Sequence, residues 1–326
     1  MDAVESGNME GSRSRREASR AWALLDGAVI GYTVLTAFLV IACYRNIAEP
    51  MPILVLHALV AIFVLALPPR GARWETATND PSWLHVLRGG ARFLRYTYPL
   101  LLVIPFFEEV EHTVNAVAPA SPYWFEPMLY GADRWLFGDA PALLMSSWVG
   151  LPQDEIFHAF YFSYYPIVII GATLAWFGPR GMKRQPGPGL ETAITSTMIA
   201  FFLCFLWYPW LPARGPWENP ELMAGLPSFR GIVFTPFMQW IIDRGAVSGG
   251  CFPSSHVAGS WGMVLGLAAY HRRAAIVLGC FAVGLSFACV YTRYHHGIDV
   301  PAGFLAALVG AWIARTVTRP AEVSHE

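Results

Sequence analysis

Two histidines and one aspartate carry the chemistry that the chain suggests first. His295 and Asp299 lie four residues apart in YTRYHHGID (291–299), so a helical stretch puts them on one face. A carboxylate there can accept the Nδ1–H of the imidazole, which fixes the tautomer and leaves Nε2 as a nucleophile. Arg293 precedes His295 by two residues and can reach a phosphoryl oxygen. His256 closes a second stretch, GGCFPSSH (249–256). Gly249 and Gly250 permit a close backbone approach. Pro253 suits a helix start, and Ser254 or Ser255 can cap it. A helix N-terminus offers free N–H groups and positive dipole to an anion, and His256 projects from that first turn. The third stretch is WLPARGPWE (210–218), where Pro212, Gly215 and Pro216 give Arg214 a fixed direction. Singly, each piece has a structural explanation: a capped helix, a helix-end pair of Arg293 with Asp299, an interfacial arginine in a proline-rich turn. Together they are parts for phosphoryl transfer through a phosphohistidine, with no metal or other cofactor. Arginines and N–H groups hold the equatorial oxygens. His295 attacks phosphorus, and His256 protonates the departing oxygen and then deprotonates the incoming water or alcohol.

The elements that must position these groups are membrane helices. Of 326 residues 55% are hydrophobic and only 14% charged, with a mean hydropathy of +0.42; soluble domains carry roughly 25% charged residues. Net charge is −1, which leaves no field to attract nucleic acid. A span needs about 20 mostly apolar residues. Eight runs qualify as candidates: 22–43, 51–68, 93–107, 156–177, 189–211, 255–271, 274–292 and 297–316. The expected fold is therefore an all-α polytopic bundle. It divides into a polar cytoplasmic tail (1–21), accessory spans with an outer re-entrant segment (22–182), a catalytic bundle (183–316) and a second cytoplasmic tail (317–326). With the N-terminus inside, every Lys and Arg falls on the cytoplasmic side except Arg45, Arg134, Arg214, Arg230, Arg244 and Arg293. That bias matches the positive-inside rule. It puts all three stretches on one outer face. The five cysteines are odd in number, four of them inside apolar runs, and they form neither a disulfide framework nor a CxxC knuckle.

PSSH (253–256) resembles the second signature of the type 2 phosphatidic acid phosphatase, or lipid phosphate phosphatase, superfamily. RYHHGID (293–299) resembles its third signature, which ends in H-x-x-x-D, and PARGP (212–216) is similar to a degenerate first one. The resemblance covers about residues 190–316. It implies a six-helix core, with His295 as nucleophile, Asp299 as its partner and His256 as acid and base. Ser254, Ser255 and Arg214 become the phosphate cradle. It also implies a phospholipid or lipid-linked phosphate substrate, handled at the extracytoplasmic face of an inner or plasma membrane. DRWLFGDAP (133–141) and FYFSYYPIV (160–168) resemble the inositol phosphorylceramide synthase, aureobasidin-sensitive branch, in which a head-group phosphate passes to a lipid alcohol. The chain departs from the usual signatures in three places. Cys289 and Ala288 stand where the third signature has Arg and Ser, Trp207 stands where the first has Lys, and Ser255 replaces a Gly. Arg293, Arg230 or Arg244 are the candidates to make up the phosphate grip.

Weaker signals lie elsewhere. Glu108, Glu111 and His112 share a helical face, which could hold a divalent ion or the hydroxyls of a polyol head group, or be solvated helix-end charge. Asp154, Glu155 and His158 open a span, where acidic residues favour the helix N-terminus. Two other functions compete with phosphoryl transfer. A transporter would place its ionisable groups at mid-bilayer, whereas here they gather at one face. A metal-dependent membrane hydrolase would use the Glu108–His112 face.

Overall fold

The computed structural model describes residues 24–67, 81–177 and 188–318. The tail 1–21, most of the 183–189 turn and most of the tail 317–326 lie outside them, as do several of the arginines used to orient the spans. Among the described residues the chain is helical, without a strand. The front half holds α1 (Leu24–Ala42), α2 (Pro50–Ala66), α3 (Ser82–Leu101) and α4 (Val103–Thr113). Then come α5 (Glu126–Phe137), the short α6 (Pro141–Leu144), α7 (Leu151–Phe162) and α8 (Tyr164–Phe177). The back half holds α9 (Pro188–Trp207), the short α10 (Pro220–Met223), α11 (Phe234–Gly245), α12 (Ser255–Ala268), α13 (Arg272–Tyr291) and α14 (Asp299–Thr318).

The all-α membrane-type bundle is as expected, and the apolar runs divide in ways that prolines explain. Helices α1, α9, α13 and α14 are long and apolar enough to cross a membrane, and α7 with α8 passes as one span bent by 41°. The bend falls at Ser163. Pro166, in the first turn of α8, has no N–H for the Phe162 carbonyl, so the ladder restarts there. The 93–107 run is split at Leu102 between α3 and α4. Pro99 withdraws the donor for the Arg95 carbonyl, and Pro105 sits in the first turn of α4, where none is needed. The 51–68 run forms the 17-residue α2. The 255–271 run forms α12, whose 14 residues extend about 21 Å at 1.5 Å each.

Helix α12 is enclosed by α8, α9, α13 and α14. Its glycines allow that. A Cβ at Gly262 would lie 3.0 Å from Thr197 Cα, and one at Gly266 would lie 2.6 Å from Ala193 Cα. Helices α9 and α12 thus meet backbone to backbone, the contact that small residues permit in bilayer proteins. The front half is tied by buried polar pairs instead. Asp26 on α1 accepts from Arg95 Nη2 at 2.8 Å and from the Tyr98 hydroxyl at 2.6 Å, both on α3. His57 Nε2 on α2 sits 3.0 Å from Glu109 Oε2 on α4 and 3.2 Å from Thr36 Oγ1 on α1.

Candidate active site

Three loops meet at one end of the back half, each carrying one of the stretches singled out above. Backbone hydrogen bonds stitch them together. Ala213 N donates to the Gly249 carbonyl and Cys251 N to the Ala213 carbonyl, each at 3.2 Å. Trp217 N donates to the Arg293 carbonyl at 2.9 Å, and Ser254 N to the Asp299 carbonyl at 3.2 Å. Gly249 takes φ +87°, a left-handed turn that glycine adopts without strain. Ser254 is the N-cap of α12, its hydroxyl accepting from Val257 N. A Cβ at Gly303 of α14 would collide with the Ser254 carbonyl, so glycine is what lets α14 bring Asp299 against that cap.

His295 and Asp299 pair as their spacing suggests. Nδ1 lies 3.2 Å from Asp299 Oδ2 and 3.1 Å from the Cys251 carbonyl. Both are acceptors, so the proton belongs on Nδ1. The Ser254 hydroxyl then donates to Nε2 across 3.1 Å. Asp299 is held in turn by His296 N and by the Cys251 thiol, both donating to Oδ2 at 2.8 Å. Burial pushes the His295 pKa down to about 4, against the opposing hydrogen bond to the Cys251 carbonyl. The ring is therefore neutral at ordinary pH, the state a nucleophile needs. His256 stands opposite: the two rings are 5.7 Å apart at 66°. The Tyr161 hydroxyl lies 3.3 Å from His256 Nε2, and the Tyr164 ring packs edge-on at 4.7 Å.

Both rings open onto one cavity of about 300 Å³. Ser255, Cys251, Glu108 and Glu218 line it with them. Phe107 of α4, Phe201 and Phe205 of α9 and Ile241 and Ile242 of α11 make much of its wall apolar. Ser254 and Asp299 are buried behind His295. Burial raises the pKa of Glu218, although it accepts from Gly215 N and the Ser248 hydroxyl.

The arginines are placed differently from expectation. Arg214 is not in the cavity wall. Its Nε and Nη2 clasp Glu126 at 2.9 and 3.3 Å, and its guanidinium lies 4.9 Å over the Tyr123 ring. Arg293 is buried, with φ +66°. Its Nη2 donates to the Pro227 carbonyl at 2.8 Å and it stacks on Phe229, not on Asp299. Arg244 covers Trp240, and Arg230 is exposed, so neither lines the cavity. Of the Glu108, Glu111 and His112 face only Glu108 reaches the cavity, and all three are exposed. Among the described residues the group with metal-ligand spacing is a different one, Cys251, His295 and Asp299.

Four contributors escaped sequence reasoning. Asp133 on α5 accepts from Gly297 N and Ile298 N at 2.8 Å each and so anchors the His295 loop. Glu126 holds Arg214, Tyr161 touches His256, and Cys251 touches Asp299. Asp133, Tyr161 and Cys251 lie inside the stretches DRWLFGDAP, FYFSYYPIV and GGCFPSSH, but nothing in those stretches marks them out, and Glu126 lies outside all of them. Asp154 and Glu155 reach past their own helix. Asp154 accepts from Arg230 N at 2.6 Å, and Glu155 accepts from four successive N–H groups, Ile232 to Thr235, at the start of α11.

The described residues thus form an all-helical membrane-type protein with two facing histidines in the wall of one largely apolar cavity. The family model of the PAP2 superfamily matches residues 127–313, more than half of the chain and upstream of 190 as well. The chain belongs to the PAP2 superfamily, whose members are phosphatases and phosphotransferases. No curated protein and no solved structure matches it.

Proposed function

We propose that this protein transfers a phosphoryl group of a phospholipid or lipid-linked phosphate through a phosphohistidine on His295. The observation that carries the proposal is the pair of imidazoles 5.7 Å apart at one cavity, with Asp299 behind the ring of His295. His295 Nε2 forms the bond to phosphorus as the bond to the leaving oxygen breaks, and His256 gives that oxygen its proton. Water or an alcohol then yields its proton to His256 and attacks phosphorus, and the P–N bond breaks. Asp299 accepts the hydrogen bond from Nδ1–H and stabilises the ring as it becomes cationic. The cradle is the start of α12. The N–H groups following Ser254 face an anion there, and the hydroxyls of Ser254 and Ser255 turn to its oxygens. A phosphate at Nε2 must displace the Ser254 hydroxyl. Arg214 joins the cradle by exchanging Glu126 for phosphate, whereas Arg293 serves by holding the loop.

The chemistry runs at the extracytoplasmic face, as the Lys and Arg distribution suggests. Residues 183–316 supply it and the spans before them shape the lipid entrance. The acceptor is an alcohol and the donor an inositol-phosphate-type lipid, as in the branch that DRWLFGDAP and the aromatic third stretch resemble. Labelled phosphatidylinositol offered with ceramide or diacylglycerol tests this. A new phospholipid supports the transferase, and inositol phosphate released into water supports the hydrolase. Turnover that survives His295→Ala overturns both.

A further inference from the structure

Cys251 has no part in that chemistry, yet it closes a triangle with the two residues that do. Its Sγ lies 3.5 Å from His295 Nδ1 and 2.8 Å from Asp299 Oδ2, and those two atoms are 3.2 Å apart. A tetrahedral zinc ion with one sulfur, one nitrogen and one oxygen ligand needs donor separations of about 3.4–3.6 Å. Two edges therefore match to within about 0.2 Å, and the third opens by about 0.8 Å once the thiol proton between sulfur and oxygen is gone. Asp299 is fully buried and its Oδ1 has no hydrogen-bond partner, so the carboxylate has coordinating capacity to spare. Cys251 and His295 both reach the cavity wall, which gives an ion a way in.

We infer that Cys251, His295 and Asp299 form a binding site for a borderline-soft divalent cation, zinc above all, whose occupancy switches the protein off. Binding expels the thiol proton to solvent. It also takes the Nδ1 lone pair, so the imidazole proton moves to Nε2. Nε2 is then a donor and cannot attack phosphorus. The ligand set selects the ion: magnesium and calcium want oxygen donors and reject a thiolate.

The test uses the full chain in detergent or nanodiscs, with cobalt as a spectroscopic probe and zinc as the competitor. One cobalt per chain is expected, with thiolate-to-cobalt charge transfer and the intense visible bands of a tetrahedral site. Zinc should bleach both, and Cys251→Ser should lack the charge-transfer band. Binding that is absent, or identical in Cys251→Ser, overturns the site. The second arm rests on the proposed role of His295. Zinc should inhibit turnover, magnesium should not, and Cys251→Ser should raise the half-inhibiting zinc concentration at least tenfold. If that variant is inactive, the cobalt spectrum still decides. Cobalt bound through Cys251 without inhibition by zinc keeps a cation site but overturns the switch, while His295→Ala decides the nucleophile by itself.

Discussion

Among the described residues two buried histidine–carboxylate pairs are within hydrogen-bond distance, one in each half, and their surroundings differ. His57 and Glu109 join α2 to α4 at 3.0 Å, and His295 and Asp299 join a loop to the start of α14 at 3.2 Å. Both are almost fully buried. The front pair engages Nε2 alone; His57 Nδ1 and Glu109 Oε1 have no partner, and neither residue touches the cavity. The back pair engages Nδ1, sets Nε2 against the Ser254 hydroxyl, and its histidine lines a cavity shared with a second imidazole. A buried ionisable pair in a membrane bundle is thus not a site by virtue of burial. What separates the two is whether the second ring nitrogen has somewhere to act.

Removing each histidine should expose that difference most strongly. His295→Ala is expected to lower turnover by at least about 10³-fold, the scale of losing a covalent nucleophile, with a smaller loss of stability than at His57 because Asp299 keeps its bonds from His296 N and the Cys251 thiol. His57→Ala leaves Glu109 buried and unpaired, so it should cost about 3–5 kcal/mol of stability, while activity per folded molecule stays near that of the unchanged protein. Thermal melts and kcat on the same preparations decide it. Reversed phenotypes would mean the roles have been assigned to the wrong halves. The two carboxylates sharpen the contrast. Asp299→Asn should cost about 10²–10⁴ in kcat by freeing the wrong tautomer. Glu109→Gln should cost about 1–3 kcal/mol of stability and leave kcat alone.

Acid sets a third distinction. His295 titrates at about 4 in the folded chain against 6.5 as a free side chain. Neutral His295 therefore persists well below pH 6, and the acid limb it imposes on kcat/KM should fall near pH 4. Between about pH 6.5 and 4 the unfolded chain takes up a proton at this ring that the folded one refuses, so stability falls as pH drops through that window. His295→Gln should flatten that part of the stability profile. A profile unchanged by the substitution would mean that the ring is not shielded as described.

Local spacing was enough to anticipate that His295 pairs with Asp299 and that His256 lies in the first turn of a helix, because a helix start and an i,i+4 pair are properties of a few consecutive residues. The all-helical bundle was equally legible, since long apolar runs have one solution in a bilayer. The lengths of the helices were less so, because they depend on which prolines fall in first turns and which fall late. Arginine placement was not legible at all. Arg293 adopts a left-handed backbone that turns its guanidinium to a carbonyl 66 residues away. Arg214 is claimed by Glu126, 88 residues upstream. A cation's partner is set by tertiary contact and not by its neighbours in sequence. Cys251 was passed over for the opposite reason, because its significance comes only from two atoms that the fold brings to it.

The smallest effect expected concerns that clasp on Arg214. Glu126 is 7% exposed and Arg214 31%, a half-open pair of the kind that contributes up to about 1 kcal/mol. If Arg214 must leave Glu126 to meet phosphate, the pair taxes substrate binding by that amount. Glu126→Gln keeps the shape, the hydrogen bond that Oε1 accepts from Asn219 Nδ2 and the one that the backbone N donates to the Tyr123 carbonyl, but weakens the hold. KM for a phosphorylated lipid should then fall by up to about fivefold, with kcat unchanged, and Arg214→Ala in the same background should remove the gain. A rise in KM would mean that Glu126 aims Arg214 at the phosphate instead of withholding it. Arg214 would then belong with Asp299, as a group held in place for the reaction, and not with the structural pairs of the front half.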